Sequence, residues 1–297
     1  MPLYRTYSDY LAEFFPEKMQ KLTVNAGFTC PNRDGTKGRG GCIYCNNQSF
    51  NPTFASHDDS VTEQLLKGKQ FFARKYPQMR YLAYFQAYTN THSSDIDRLT
   101  ALYEEALSVP GVDGIIIGTR PDCMPQQLLE RLRLLNTRPG RVMVEYGAES
   151  SHDATLQLIN RCHTWADTVD AVQRTADAGI HCGVHLILGL PGETETMMLE
   201  TVDRIATLPL MTVKFHQLQV IRGTRLAQMM EQGSVELPHF TVESYLDLCA
   251  AIVRRLPSHI AIERFTSQSP DNLLITPRWG LKNYQFTELL RKRLEQT

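Results

Sequence analysis

The chain has 297 residues, of which 42% are hydrophobic and 21% charged, and its net charge is −1. This composition predicts a folded protein with a substantial apolar core, and it lacks the positive excess of many nucleic-acid-binding proteins. The sequence shows no signal peptide and no apolar run of the roughly 18 residues that a membrane helix needs. Seven cysteines without an export signal predict a reducing, cytoplasmic setting, where cysteines bind metal more often than they form disulfides.

Six short apolar runs, rich in β-branched residues, alternate with helical patterns along the chain. The predicted strands are 21–27, 81–88, 114–119, 141–147, 182–189 and 213–221. After the second strand, Ile96 and Leu99 begin a helical repeat, with Ser94 as the predicted N-cap. Thr164 begins a later helix, and Gly179 ends it. Strand-then-helix units in series predict a parallel α/β fold.

Both an open doubly wound sheet and a (β/α) barrel fit this order of elements. No G-x-G-x-x-G sequence follows the first strand, as a dinucleotide-binding sheet would require. Polar, glycine-containing stretches follow most strands, where barrels carry their sites. These features predict a partial (β/α)6 TIM-type barrel over about residues 20–222. A helix at 241–256 and a strand at 259–265 predict a C-terminal extension over about 223–297, within one domain that covers 1–297.

A polar, glycine-rich stretch after the first strand, FTCPNRDGTKGRGGCIYCNNQSF (28–50), contains three cysteines. Cys30, Cys42 and Cys45 have the spacing C-x11-C-x2-C. Two residues between Cys42 and Cys45 let both sulfurs reach one metal centre, and the glycines let Cys30 join them. The loop is expected at the carboxyl-terminal rim of the barrel.

Several kinds of site fit three cysteines. A thioredoxin-like redox pair would use Cys42 and Cys45 and leave Cys30 unexplained. A structural zinc site requires four protein ligands, and His57 or a distant cysteine would have to supply the fourth. A 4Fe–4S cluster normally binds four thiolates, so three would leave one iron open to a substrate or cofactor. On spacing alone, zinc and the cluster remain open alternatives.

The cysteine loop resembles that of the radical S-adenosylmethionine (SAM) superfamily, whose common spacing is C-x3-C-x2-C. The wider gap here resembles the branch that contains the Elongator catalytic subunit and the bacterial YhcC/YtqA-like proteins. The matching stretches are KLTVNAGFTCPNRDGTKGRGGCIYC, YLAYFQAYTNT, GTRPDC, VEYGAES, LINRCHTW, HLILGLPGET and the WG near the C-terminus. The acetyltransferase domain of Elongator has no counterpart in this sequence.

This resemblance implies that Cys30, Cys42 and Cys45 bind three irons of a 4Fe–4S cluster and that SAM chelates the fourth. One electron from the cluster would cleave SAM to methionine and a 5′-deoxyadenosyl radical, which abstracts hydrogen from a substrate. An electron donor such as flavodoxin or ferredoxin is the expected partner.

The resemblance also suggests residues that bind SAM. Ile43 and Tyr44 are candidates for adenine contact, and Glu145 and Glu149 for the ribose or the sulfonium. Relatives often hold the methionine amino group with Gly-Gly-Glu after the second strand, where this chain has FQAYTNT. The remaining candidates for cofactor contact are Gln86, Tyr88, Asn90, Gly189, Pro191 and Gly192.

Polar residues at the ends of other strands are candidates for substrate contacts. These are Arg120, Asp122, Lys214 and His216. The other cysteines are expected to be small core residues, although relatives often have glycine at one of these positions. They are Cys123, Cys162, Cys182 and Cys249.

The resemblance to Elongator and YtqA-like proteins suggests tRNA wobble-uridine modification. Two basic clusters could contact RNA or could be solvated surface: Arg131, Arg133, Arg138 and Arg141, and Arg278, Lys282, Arg291, Lys292 and Arg293. Small-molecule radical chemistry is one alternative. A non-catalytic, zinc-stabilised RNA- or protein-binding module is another.

Overall fold

Seven parallel strands form the main sheet of the computed structural model, which describes residues 3–47, 52, 54–73 and 78–296. In spatial order they are β1 (Met19–Val24), β2 (Arg80–Phe85), β3 (Val112–Thr119), β4 (Val142–Glu149), β5 (His181–Leu188), β6 (Thr212–Gln217) and β8 (Ala261–Ile262). The predicted partial α/β barrel is confirmed. It has seven strands where six units were expected, because the short strand predicted at 259–265 pairs with β6 over two residues.

The strand predicted at 213–221 is interrupted. The chain leaves β6 at Leu218 and then forms β7 (Val220–Ile221), which pairs antiparallel with β9 (Leu274–Thr276). Gln217 and Gln219 at this break bond to the backbone of Ser267, so polar contacts replace the continuing ladder.

Ten helices surround the sheet in the described part of the chain. They are α1 (Tyr7–Ala12), α2 (Val61–Ala73), α3 (Ile96–Ser108), α4 (Gln126–Leu135), α5 (Asp153–Leu158), α6 (Trp165–Asp177), α7 (Glu195–Ile205), α8 (Arg225–Glu231), α9 (Val242–Arg255) and α10 (Asn283–Glu295). None of them is both long and apolar enough to pass through a membrane.

Side-chain oxygens cap several of these helices. Thr164 caps α6 in a capping box, as predicted, and Gly179 beyond its end has a φ of 71°. The predicted cap of α3 is wrong by one residue, because Asp95 accepts the hydrogen bond from the Arg98 amide.

Side chains point alternately to the two faces of each strand, and they pack into two separate apolar layers. Ala83 and Phe85 of β2 pack in the cluster that joins the sheet to the outer helices. Leu82 and Tyr84 point the other way, into a smaller cluster with Tyr10 of α1. Successive side chains of a strand point to opposite faces, so this smaller cluster fills the barrel interior at its amino-terminal end. Helix α1 thereby closes the bottom of the barrel.

Above this apolar layer, two buried and two half-buried charged residues form a ring inside the barrel. Lys21 Nζ lies 2.7 Å from Glu145 Oε1 and 2.5 Å from Glu263 Oε2. Lys214 Nζ lies 2.9 Å from Glu263 Oε1 and 3.7 Å from Glu145 Oε2. Since Lys21 is on β1 and Glu263 follows β8, the ring connects the two edge strands of the sheet. A salt bridge thus spans the gap where a closed barrel would have backbone hydrogen bonds.

We expect Glu263→Gln to destabilise the fold strongly. The substitution leaves Lys21 and Lys214 facing the single carboxylate of Glu145, and removing one partner of a buried pair costs about 3–5 kcal/mol. Urea unfolding followed by circular dichroism measures the loss.

The matched control is Asp97→Asn, which removes an exposed carboxylate 3.2 Å from Arg131. Exposed pairs contribute little, so its unfolding midpoint should stay close to that of the parent. Equal midpoints for both variants would show that the ring does not hold the barrel edges together.

Candidate functional site

A cavity of about 450 Å³ opens at the carboxyl-terminal ends of the strands. All three cysteines of the loop border it, although Cys30 and Cys45 lie far apart in sequence. Eight further predicted residues line the same cavity: Tyr44, Gln86, Tyr88, Arg120, Glu145, Glu149, Lys214 and His216. The sequence therefore located part of the wall, and the roles given to these residues stay predictions.

The cysteine loop is held by the segment that follows α5. The Asn32 amide donates to the carbonyls of Asn160, at 2.7 Å, and Arg161, at 3.1 Å. The Asn160 amide in turn donates to the Gly41 carbonyl at 2.8 Å. The Ile43 amide donates to the Ile159 carbonyl at 3.1 Å. These bonds replace the regular secondary structure that the loop lacks.

Arg161 connects this clamp to a cysteine. Its Nη1 lies 3.6 Å from Cys42 Sγ, and its Nη2 donates to the Gly147 carbonyl at 2.6 Å and lies 3.4 Å from Glu149. Burial opposes the charge of Arg161, but Tyr44, Cys42 and Glu149 hold its pKa well above the usual value. Arg161 was missed in the sequence, because nothing in LINRCHTW indicates a contact with a cysteine more than a hundred residues away.

Two of the three thiols have an arginine beside them, Arg161 at Cys42 and Arg33 at Cys45. All are free, and Cys42 Sγ also lies 3.7 Å from the Asn32 amide nitrogen. Burial raises the pKa of Cys45, as do Cys42 and Cys30 beside it, while Arg33 lowers it. N–H groups directed at sulfur are typical of cysteines that bind iron–sulfur clusters. The donor set and its cationic neighbours thus fit a cluster.

The zinc alternative finds less support. Among the residues described here, no three His, Cys, Asp or Glu side chains gather closely enough to hold a single metal ion. His57, one of the two candidates for a fourth zinc ligand, is exposed and lies 3.5 Å from Asp58. The structure therefore does not supply the closed four-ligand set that a structural zinc site requires.

Backbone strain concentrates around the site. Within the described residues, the only non-glycine residues with positive φ are Tyr88, Glu149, Asn160 and Cys162, at 56–67°. Such conformations cost free energy and gather at functional sites. A φ of 57° at Cys162 is a conformation that favours glycine. The prediction that Cys162 is a core residue is wrong, since it is exposed.

Glu145 sits at the junction between the charged ring and the cavity. Besides Lys21, it bonds His185 Nε2 at 2.7 Å. Burial raises the pKa of this carboxyl, but Lys21, Lys214 and His185 together hold it well below the usual value. The carboxylate predicted to contact SAM is therefore ionised, and cations of the protein itself already balance its charge.

Arg120 and Asp122 form a bidentate pair, with both N–O distances at 2.9 Å. Lys37 adds a third contact to Asp122 at 2.6 Å, and these cations lower its pKa to about 2 against the effect of burial. Arg120 borders the cavity and Asp122 does not. Within this pair of substrate candidates, Asp122 therefore orients Arg120.

Five other predicted residues, all candidates for SAM contact, do not line the cavity. Asn90 donates to the Phe85 and Gly118 carbonyls, so it fastens β2 to β3. Ile43 packs in an apolar cluster. Gly189 borders a second cavity, of about 700 Å³. Pro191 and Gly192 border neither of these two cavities.

Several members of the two basic clusters lie beside carboxylates. The pairs are Arg131–Asp97, Arg291–Glu288, Arg291–Glu295, Arg293–Glu243 and Arg293–Asp247. Acidic partners offset the positive potential that would attract RNA phosphates. The arrangement favours a solvated surface for these arginines.

Comparison with family models identifies the class of protein. The Radical SAM superfamily model matches residues 29–205, and the Radical_SAM C-terminal domain model matches residues 210–296. The chain therefore belongs to the radical SAM superfamily, as its cysteine loop predicted. The first match covers the cysteine loop and the four strands β2 to β5, and the second match covers β6 and β8.

Comparison with individual known proteins shows which members of this superfamily the chain is similar to. It is 34% identical to the uncharacterized protein YtqA of Bacillus subtilis, over 98% of this chain and 89% of that protein. It is 28% identical to a tRNA uridine(34) acetyltransferase of Methanocaldococcus infernus, over 61% of this chain and 33% of that protein. The solved structure of Methanocaldococcus infernus Elp3 has the same fold, with a TM-score of 0.70 at 18% identity, over 94% of this chain and 63% of that one.

We expect Arg161→Leu to weaken iron binding. The change removes the guanidinium beside Cys42 and its bond to Gly147, and losing such an outer contact typically costs about 10–100-fold in metal affinity. Iron retained after chelator challenge of the anaerobically reconstituted protein measures the effect.

Arg255→Leu is the control, because Arg255 is exposed and lies 3.5 Å from Asp203. It should retain iron like the parent. If Arg161→Leu keeps its iron equally long, the clamp does not support the metal site.

Proposed function

We propose that the protein is a radical SAM enzyme in which Cys30, Cys42 and Cys45 bind a 4Fe–4S cluster. The observation that carries the proposal is the set of three free thiols on one cavity, in a chain of this superfamily. When bound, a cluster with one open iron supplies the electron that cleaves SAM to methionine and a 5′-deoxyadenosyl radical.

The residues of the chain have separate tasks in this proposal. Arg161 and Asn32 donate toward Cys42 and so orient the loop and stabilise its negative charge. Tyr44 borders the cavity beside the cysteines and offers a ring for the adenine. Glu149, at a φ of 67°, aims its carboxylate between Arg161 and the cavity. We assign Tyr44 and Glu149 to the cofactor and Arg120 and His216 to the substrate.

We expect anaerobically reconstituted protein to be brown and to contain about four irons per chain. With dithionite and SAM it should release 5′-deoxyadenosine. Cys42→Ala should lose both properties, because the remaining two thiols cannot hold the cluster. Iron analysis and chromatography of the nucleoside products measure them.

Cys249→Ala is the control, since Cys249 is buried in α9 and does not line the cavity. It should keep both the iron and the cleavage. A colourless protein with one zinc per chain would instead support the non-catalytic binding module.

For the substrate, we propose tRNA, with the wobble uridine as the base that is modified. The similarity to a tRNA uridine(34) acetyltransferase supports this proposal. The net charge of −1 and the paired arginines weigh against a large RNA interface. We further propose a cytoplasmic enzyme whose electron donor is flavodoxin or ferredoxin. Small-molecule radical chemistry is the alternative.

Deletion of the gene should remove one modified wobble uridine from cellular tRNA. Mass spectrometry of tRNA nucleosides from deletion and parent strains measures this change. A strain that expresses the Cys42→Ala variant should show the same loss, and a strain that expresses Cys249→Ala should not. Identical nucleoside profiles in all strains would reject tRNA in favour of a small-molecule substrate.

A further inference from the structure

Part of the cavity wall comes from the segment after β8. Ser267 bonds twice to Gln217, with its amide 2.5 Å from Oε1 and its carbonyl 3.0 Å from Nε2. Ser269 Oγ donates to Gln219 Oε1 at 2.6 Å. The two glutamines at the break between β6 and β7 thus fasten this segment against the sheet. Arg264 and Ser267 are thereby held in fixed positions on the cavity.

His216 lies on this wall in a defined tautomer. Arg264 Nη2 lies 3.1 Å from His216 Nδ1, and a guanidinium can only donate, so Nδ1 accepts. Ser267 Oγ approaches the same nitrogen at 2.6 Å. Burial, together with Arg264, keeps the pKa of His216 well below its usual value, so the ring is neutral. Its single proton is therefore on Nε2, which has no hydrogen-bond partner among the described residues.

Most cations on the cavity have an acidic partner. Lys214 is paired with Glu263, Arg120 with Asp122, and Arg161 with Glu149. Two arginines have no carboxylate partner within the part of the chain that the structure describes. Arg33 lies at the cysteine loop and donates to the Cys45 carbonyl. Arg264 lies on the segment after β8, and its buried Nε also makes no hydrogen bond.

An unpartnered guanidinium in a cavity is unfavourable unless something of opposite charge joins it, since desolvating a charge costs several kcal/mol. The planar N–H groups of arginine match carboxylate and phosphate oxygens in a bidentate geometry. His216 Nε2–H adds a neutral donor on the same wall. Both groups donate, and the carboxylate next to Arg264 in sequence, Glu263, is occupied by Lys21 and Lys214.

We propose that Arg264 and His216 form a binding site for an anionic oxygen group of the substrate, a carboxylate or a phosphate. The proposal rests on the radical SAM function in one respect: it takes the molecule that occupies this part of the cavity to be the substrate. Arg264 and His216 lie on the segment after β8 and on β6, separate in the fold from the cysteine loop, and neither contacts a cysteine in the described residues, so this site anchors the substrate and leaves the thiols to the cofactor. A fixed anchor would also hold one substrate C–H at a constant position in the cavity.

The test measures the binding of inorganic phosphate and of acetate to the reconstituted protein by isothermal titration calorimetry. We expect the parent to bind at least one of these anions and Arg264→Gln to bind it at least tenfold more weakly. Arg264→Lys, which keeps the charge without the planar fork, should lie between them. Arg278→Gln, on the second cavity, should match the parent. Stronger binding of phosphate indicates a phosphorylated substrate, and stronger binding of acetate indicates a carboxylate.

Two results would overturn the proposal. One is that every variant binds both anions as tightly as the parent does, or that no protein, the parent included, binds either anion. The other is that Arg264→Gln weakens SAM binding as much as it weakens anion binding and that SAM displaces the anion from the parent. This result would assign Arg264 to the cofactor. Iron content is measured on the same samples. A protein that binds the anion without any iron would contradict the cluster and not this site, so the two proposals fail separately.

Discussion

The hydrogen bonds between the cysteine loop and the segment after α5 are the contact on which the candidate site depends. Residues 28–46 contain no helix or strand, so the loop has no ladder of its own to fix the thiols. Asn32, Asn160 and Arg161 supply the missing contacts across more than a hundred residues of sequence. The positions of the cysteines therefore depend on the packing of the segment after α5 against the loop.

The barrel interior is organised in three layers along its axis. Apolar side chains around Tyr10 close the amino-terminal end. The ring that includes Lys21 and Glu263 lies above them and joins the open edges of the sheet. The cavity with the cysteines occupies the carboxyl-terminal end, where Glu145 belongs to both the ring and the cavity wall. The same carboxylate therefore contributes to stability and to the electrostatics of the site, and substitutions of it affect both.

Local pattern predicted the first five strands, the Thr164 cap and the place of the cysteine loop on the cavity, because each depends on residues close together in sequence. Ser94 was predicted as the N-cap in place of Asp95, because serine and aspartate both cap helices and only the backbone conformation distinguishes the two positions. Arg161, His185 and Glu263 were missed because their partners lie on other strands or loops. Charged residues inside apolar strands, such as Lys21 in KLTVNAG, are the signal that could have revealed the buried ring.

The central claim is that three protein thiolates leave one iron of a cluster open to SAM. Electron paramagnetic resonance of the dithionite-reduced protein tests it most directly, because the signal reports the ligands of the cluster. The account predicts a reduced 4Fe–4S signal that changes when SAM is added, as the amino and carboxylate groups reach the open iron. A signal that stays the same at saturating SAM, or the absence of any cluster signal, would contradict it.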